Sequence, residues 1–127
     1  MTTQPNPRIA WHDLTVPNAE EVRDFYADVV GLRHEPVDMG GYSDFNMIDP
    51  GSGDPIGGVC HARGPNAEIP PQWIIYFAVD DLDASLRSTR ERGGQVVLGP
   101  REMPGYRYAF IRDPAGAVCA VIQAIDA

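Results

Sequence analysis

The chain has 127 residues, an ordinary apolar content of 43% and a formal net charge of −8. Its length fits one domain, because a chain of this size can bury about two thirds of its unfolded surface in a single core. The acidic balance argues against nucleic acid or an anionic membrane as a partner, since either would require a basic face.

The two cysteines, Cys60 and Cys119, do not form a C-x-x-C pair, so neither a disulfide scaffold nor a zinc knuckle is expected. The N-terminal residues MTTQPNPR contain no apolar core of signal-peptide length, and no run approaches the ~18 apolar residues of a membrane span. The sequence therefore predicts a cytoplasmic protein with reduced thiols.

The first half of the chain has the pattern of a strand, a helix and three further strands. Residues Ile9 to Val16 alternate as a strand does. Asn18, with Glu21 three residues later, is typical of a capping box at a helix N-terminus, and Gly31 is typical of the helix end. Short strands are expected over 33–39, 42–49 and 56–62.

A segment rich in proline, 63–72, separates this half from the second. The run 73–79 is β-branched and aromatic, as buried strands are, and Asp80 and Asp81 follow it as candidate N-caps of a helix over about 82–92. Strands are then predicted over 95–98, 106–112 and 117–124, with a break at Gly99-Pro100 and a turn over 113–116.

The two halves share landmarks at nearly constant separation. These are the valine before each helix (Val16 and Val79, 63 residues apart), the glycine after it (Gly31 and Gly94, 63 apart) and the Asp-Pro turn (Asp49 and Asp113, 64 apart). A β-α-β-β-β unit cannot bury its curved sheet alone, so two copies are expected to close over a shared space. The prediction is an α+β fold in which two βαβββ modules, about 8–62 and 73–125, form a half-open eight-stranded barrel within one domain, 1–127.

These motifs resemble the vicinal oxygen chelate superfamily, which includes glyoxalase I, extradiol dioxygenases and bleomycin resistance proteins. The resemblance covers nearly the whole chain and implies the same two-module fold, commonly with a homodimeric assembly. The residues that carry it are Phe25-Tyr26, Val30-Gly31-Leu32, Val79-Asp80-Asp81-Leu82 and Asp113-Pro114-Ala115-Gly116.

Active members of that superfamily usually bind one divalent metal through a His or Gln on the first strand of a module and a Glu on its last strand. The positions that match here are Trp11, Ile74 and Ala120, and the fourth falls near Gly58; none of these residues supplies a ligand. The prediction is therefore that the metal site is lost and that no cofactor is needed. His12 lies one residue from the family position, and a one-residue shift turns its side chain toward the helix unless a β-bulge intervenes. An atypical metal site using His12, His34 or His61 with Cys60 stays open.

Strand alternation predicts which side chains line the cup between the modules. They are Trp11, Asp13 and Thr15; Ile74 and Tyr76; Ile56, Gly58 and Cys60; and Val118, Ala120 and Ile122. A mostly apolar pocket with a few polar groups is typical of a small-molecule site. Asp13 and Tyr76 are the candidate catalytic residues, and Trp11, Thr15, Ile74, Cys60, Ala120 and Ile122 the candidate ligand contacts.

Three hypotheses about function follow. In the first, Asp13 acts as a metal-independent general base or acid and Tyr76 or Thr15 orients the ligand, because a carboxylate in an apolar cup has a raised pKa. In the second, the protein only sequesters a small molecule, as a resistance-type binder does, in a deep apolar groove that needs no base, and an acidic groove would suit a cationic ligand. The third is a metal-dependent lyase or dioxygenase with atypical ligands.

Overall fold

The computed structural model describes residues 8–125 of the chain. Its elements follow the predicted order. They are β1 (Ile9–Val16), α1 (Ala19–Val30), β2 (Arg33–Asp38), β3 (Ser43–Ile48), β4 (Pro55–His61), a 3-10 turn (Gly64–Asn66), β5 (Trp73–Ala78), α2 (Leu82–Glu91), β6 (Gln95–Met103), β7 (Tyr106–Arg112) and β8 (Val118–Ala124).

The strands hydrogen-bond in the order β2-β3-β4-β1-β5-β8-β7-β6. In each half the first strand pairs in parallel with the fourth, the fourth lies beside the third, and the third lies beside the second. The two halves therefore repeat one topology. The predicted α+β class with two βαβββ modules and eight strands is confirmed. Neither helix of the described chain has the length and apolarity that crossing a bilayer requires.

The described chain forms two compact units, 12–73 and 8–11 together with 74–125. Strand β1 contributes to both, because its first residues belong to the second unit.

The core of unit 12–73 lies between α1 and one face of its sheet. Val22 and Tyr26 of α1 pack against strand residues that alternate along β1, β3 and β4. The indole N–H of Trp73 donates to the hydroxyl of Tyr26 at 3.1 Å, with the two rings edge to face. The buried strand residues of this core are Leu14, Val16, Phe45, Met47 and Val59.

The second unit has an equivalent core between α2 and its sheet. Leu82 and Leu86 of α2 pack against Ala109 of β7 and Val121 of β8. The backbone N–H of Leu82, one of the groups left without a partner inside a helix, donates to the side-chain amide oxygen of Gln123 at 2.8 Å.

The helix ends test the capping predictions. Gly31 ends α1 in the left-handed conformation (φ 83°), and Asp81 accepts the backbone N–H of Ala84 at the start of α2, as predicted. The predicted capping box at Asn18 is wrong. The Asn18 side chain caps no backbone N–H of α1 and instead donates to the Glu21 carboxylate at 2.8 Å.

The predicted break at Gly99-Pro100 is also wrong, because β6 continues through it to Met103. The ladder with β7 shifts register on both sides of Leu98, and proline is tolerated where a ladder hydrogen bond is already skipped. Gly99 has a φ of 97°, and a Cβ there would lie 3.0 Å from the carbonyl oxygen of Tyr108. The two residues therefore form an irregularity inside a strand.

Candidate functional site

Each strand of unit 12–73 has one face toward α1 and one face away from it. Leu14 and Val16 of β1 face the helix core, so Asp13 and Thr15 lie on the opposite face, which we call the helix-distal face. The parallel ladder pairs Asp13 with Gly58 and Thr15 with Cys60, without a register shift. The regular ladder brings these four predicted residues together on one surface.

The Asp13 carboxylate leans over Gly58. A Cβ at position 58 would lie 2.5 Å from Oδ1 of Asp13 and 3.5 Å from Sγ of Cys60. Any side chain at 58 would therefore displace the carboxylate, whereas glycine leaves room for it. The family resemblance places a metal-ligating Glu near position 58, so an acid from the neighbouring strand lies close to that place.

The Cys60 thiol is held in its protonated form. Burial raises its pKa strongly, and the carboxylates of Asp13 and Asp44 raise it further. The thiol also hydrogen-bonds to Asp44. Because the thiolate is the nucleophilic species, this environment favours Cys60 as a packing and donor group.

Asp44 of β3 joins this cluster and was not identified from the sequence. It is buried, and Oδ1 accepts the backbone N–H of His61 at 2.9 Å and lies 3.1 Å from Nδ1 of the same residue. The other ring nitrogen of His61 lies 3.1 Å from both carboxylate oxygens of Glu20. The antiparallel pairing of β3 with β4 was a signal that Asp44 lies beside the candidate residues of β4. The contact of Glu20 with His61 had no such signal, because it depends on how α1 is placed against the sheet.

The predicted site residues of the second unit lie on two neighbouring strands. Tyr76 pairs with Ala120 and Ala78 with Ile122, while Val121 packs under α2, so Tyr76, Ala120 and Ile122 lie on the face away from α2. Ile74 and Ala120 are fully buried. Tyr76 packs edge to face on Phe110, with ring centroids 5.7 Å apart.

The two units thus carry different chemistry on these faces: carboxylate, hydroxyl and thiol in one, aliphatic and aromatic groups in the other. Trp11 is half-buried in the first residues of β1, and Ile56 is 42% exposed. That the two faces line one cup, and that Asp13 and Tyr76 act together, stay predictions.

The donor set does not fit the family's metal. Within residues 8–125 no three His, Cys, Asp or Glu side chains lie together as ion ligands. His12 hydrogen-bonds through Nδ1 to the carbonyl of Ile56 at 3.1 Å, His34 packs its ring against Phe45, and His61 is held by two carboxylates. Each histidine thus has a structural environment of its own.

Comparison with known proteins agrees with this architecture. Residues 8–121 match the family model of the Glyoxalase/Bleomycin resistance protein/Dioxygenase superfamily. The chain is 31% identical over 116 residues to the "Putative glyoxylase CFP32" of Mycobacterium tuberculosis, covering 91% of this chain and 43% of that protein. It is 32% identical over 117 residues to the anthracycline biosynthesis protein DnrV of Streptomyces peucetius, covering 91% and 41%. The chain thus spans less than half the length of these relatives.

Solved structures share the fold at low sequence identity. A Vibrio splendidus member of the same superfamily superposes with a TM-score of 0.59 at 11% identity, over 89% of this chain and 96% of that one. Methylmalonyl-CoA epimerase from Mycobacterium tuberculosis superposes with a TM-score of 0.54 at 19% identity, over 99% and 93%. The family model, the repeated topology and these superpositions agree: the chain belongs to the Glyoxalase/Bleomycin resistance protein/Dioxygenase superfamily.

Proposed function

We propose that this protein binds a small organic molecule on the helix-distal face of residues 12–73, and that Asp13 exchanges a proton with it without a metal ion. The observation that carries the proposal is the position of the Asp13 carboxylate over Gly58, where a Cβ would meet Oδ1 at 2.5 Å. The lack of a side chain at 58 admits the carboxylate. The family's usual metal ligands are missing at the matching positions, so the proposal includes loss of the metal site.

The neighbours of Asp13 suit such a role. Thr15, buried two residues along the same strand face, offers a hydroxyl, whereas the single S–H of Cys60 is used by Asp44. A base next to a donor can remove a proton from a ligand while the donor stabilises the oxygen on which negative charge develops. The reaction class is therefore proton abstraction or addition–elimination on a carbonyl or phenol compound.

The alternative is sequestration without turnover. The row of Tyr76 and Phe110 in the second unit is suited to packing against an apolar or aromatic molecule, and it requires no base. Relatives named as a glyoxylase and as anthracycline biosynthesis proteins are compatible with either function.

One spectrum and one substitution separate these functions. Native mass spectrometry of the purified protein would report a co-purified organic mass, and a panel of small carbonyl compounds and polycyclic aromatics can be screened by tryptophan fluorescence. Asp13→Asn keeps the shape of the side chain and removes its basicity. Asp28→Asn, an exposed carboxylate of α1, is the matched control.

Acid–base catalysis predicts that Asp13→Asn loses turnover by about 10²-fold or more while binding is retained. Sequestration predicts no turnover in the wild type or in either variant. If the sequestered molecule is a cation, Asp13→Asn should lose affinity while Asp28→Asn keeps it. Unchanged turnover in Asp13→Asn would refute the catalytic role. A stoichiometric divalent ion removed by a chelator, with loss of activity, would refute the metal-independent proposal.

We further propose that the protein is a homodimer, on the basis of the family resemblance, and that it is cytoplasmic, on the basis of its two free cysteines. The same native spectrum measures the subunit count, and a monomer at micromolar concentration would contradict it.

A further inference from the structure

The His61 ring lies between two carboxylates on different elements. Nδ1 is 3.1 Å from Oδ1 of Asp44 on β3, and Nε2 is 3.1 Å from Oε2 of Glu20 in the first turn of α1. Ionised carboxylates only accept hydrogen bonds, and a neutral imidazole carries one N–H. Both contacts can therefore be hydrogen bonds at the same time only when His61 is an imidazolium.

The two carboxylates differ in how firmly they are held. The Asp44 side chain is 13% exposed and also accepts the backbone N–H of His61 at 2.9 Å, a bond that ring titration leaves intact. The Glu20 side chain is 58% exposed, so water can replace His61 as its partner. A neutral His61 would therefore keep its single proton on Nδ1, toward Asp44.

The other charged groups around the ring are few. Tyr42 packs edge-on against His61 with centroids 5.4 Å apart, and the Arg63 guanidinium stacks on the Tyr42 ring, 3.8 Å from its centroid. On the α1 side, the Arg23 guanidinium lies over the Phe45 ring, 4.6 Å from its centroid, and interacts electrostatically with Glu20. On β4 itself, the Cys60 thiol hydrogen-bonds to Asp44.

We propose that His61 is a pH-sensitive latch that, when protonated, ties the first turn of α1 to β3 and, when neutral, keeps Asp44 and releases Glu20. The latch joins α1 to the sheet, and its Asp44 also hydrogen-bonds the Cys60 thiol of the candidate site. The His61 contacts that form it do not require the proposed ligand chemistry at Asp13.

The direction of the pH dependence follows from the surroundings of the ring. Burial by itself lowers the pKa of His61, but the hydrogen bonds to Asp44 and Glu20 and the charges of both carboxylates outweigh it, so the pKa is raised from its ordinary 6.5. A raised folded-state pKa means that the contact is complete below about pH 6.5 and is lost as the pH rises through the higher folded value. The latch is closed in acid and opens toward alkaline pH.

The latch can be tested by measuring the stability of the first turn of α1. The backbone N–H of Val22 donates to the carbonyl of Asn18 at 3.1 Å and reports the first turn of α1. Its hydrogen-exchange protection factor, corrected for the intrinsic rate at each pH, would be measured by NMR from pH 5.5 to 9 together with the titration of the His61 ring. The variants are Glu20→Gln and, as the matched control in the same turn, Glu21→Gln.

We expect Val22 protection in the wild type to fall by up to about fivefold, the range set by one exposed ion pair, with a midpoint that coincides with the His61 titration above pH 6.5. Glu20→Gln should abolish this step and lower the His61 midpoint, while Glu21→Gln keeps both. A His61 midpoint at or below 6.5, a flat Val22 profile in the wild type, or an intact step in Glu20→Gln would each overturn the proposal. Because Glu20 is exposed, its substitution leaves the core unchanged.

Discussion

Replacing each of two adjacent glycines of β4 by alanine is expected to change the free energy of unfolding by very different amounts. A Cβ at Gly57 would lie 2.5 Å from the carbonyl oxygen of His12, a backbone atom of the paired strand. Carbon–oxygen contacts normally begin near 3.3 Å, so the overlap is about 0.8 Å and the ladder must shift to relieve it. A Cβ at Gly58 instead meets Oδ1 of Asp13, the end of a rotatable side chain.

Overpacking of this kind destabilises the folded state by about 1–3 kcal/mol. Replacing glycine also reduces the conformational entropy of the unfolded chain, which stabilises the protein by about 0.4–1 kcal/mol. We therefore expect Gly57→Ala to lower the free energy of unfolding by about 1–2 kcal/mol, roughly 4–8 °C in Tm. Gly58→Ala should change it by less than about 0.5 kcal/mol, since Asp13 can rotate away. That rotation moves the Asp13 carboxylate from the position proposed for ligand chemistry. Gly58→Ala should therefore impair binding or turnover, as Asp13→Asn does.

Urea unfolding of both variants and the wild type, with slopes compared to verify equal exposed surface, measures the difference. The two substitutions are one residue apart and chemically identical, so each controls for the other. The reasoning fails if Gly57→Ala is as stable as the wild type, or if Gly58→Ala is destabilised equally.

Two further predictions concern a helix cap and the thiols. Asp81→Ala should lower the free energy of unfolding by about 1 kcal/mol because the carboxylate caps α2, whereas Asn18→Ala should cost much less because its side chain caps nothing; equal losses in thermal melts would contradict this. With a disulfide reagent at pH 8, Cys60 should react more slowly than Cys119, because burial raises the pKa of both thiols but more strongly that of Cys60, next to Asp13 and Asp44. Cys60→Ser should remove the slow phase, and loss of the fast phase instead would refute the assignment.

The elements and their order could be predicted because their signals are local. Gly31 ends α1 and Asp81 begins α2 through contacts within four residues. The capping box at Asn18 failed although its residue types were right, since the Asn18 side chain bonds the Glu21 side chain and no backbone N–H. Gly99-Pro100 was also predicted from residue types alone, since glycine and proline usually interrupt a strand. Only the pairing with β7 shows that β6 continues across it.

Part of the candidate site followed from the same simple rules. Strand alternation places Asp13, Thr15 and Cys60 on one face, because successive side chains of a strand point to opposite sides. Which atoms then meet was not accessible, since it depends on the register between β1 and β4 and on side-chain rotamers. The approach of the Asp13 carboxylate to Gly58 is a consequence of that register.

Periodicity, turn residues and the internal repeat were thus sufficient for the two-module fold, because each is written in consecutive residues. The Glu20–His61–Asp44 arrangement joins residues up to 41 positions apart and exists only once α1 is packed on the sheet. Burial and paired charges, which change the pKa of His61 and Cys60, are likewise properties of the assembled structure. The sequence determines which groups are present, and tertiary packing decides which of them are close enough, and dry enough, to change one another's chemistry.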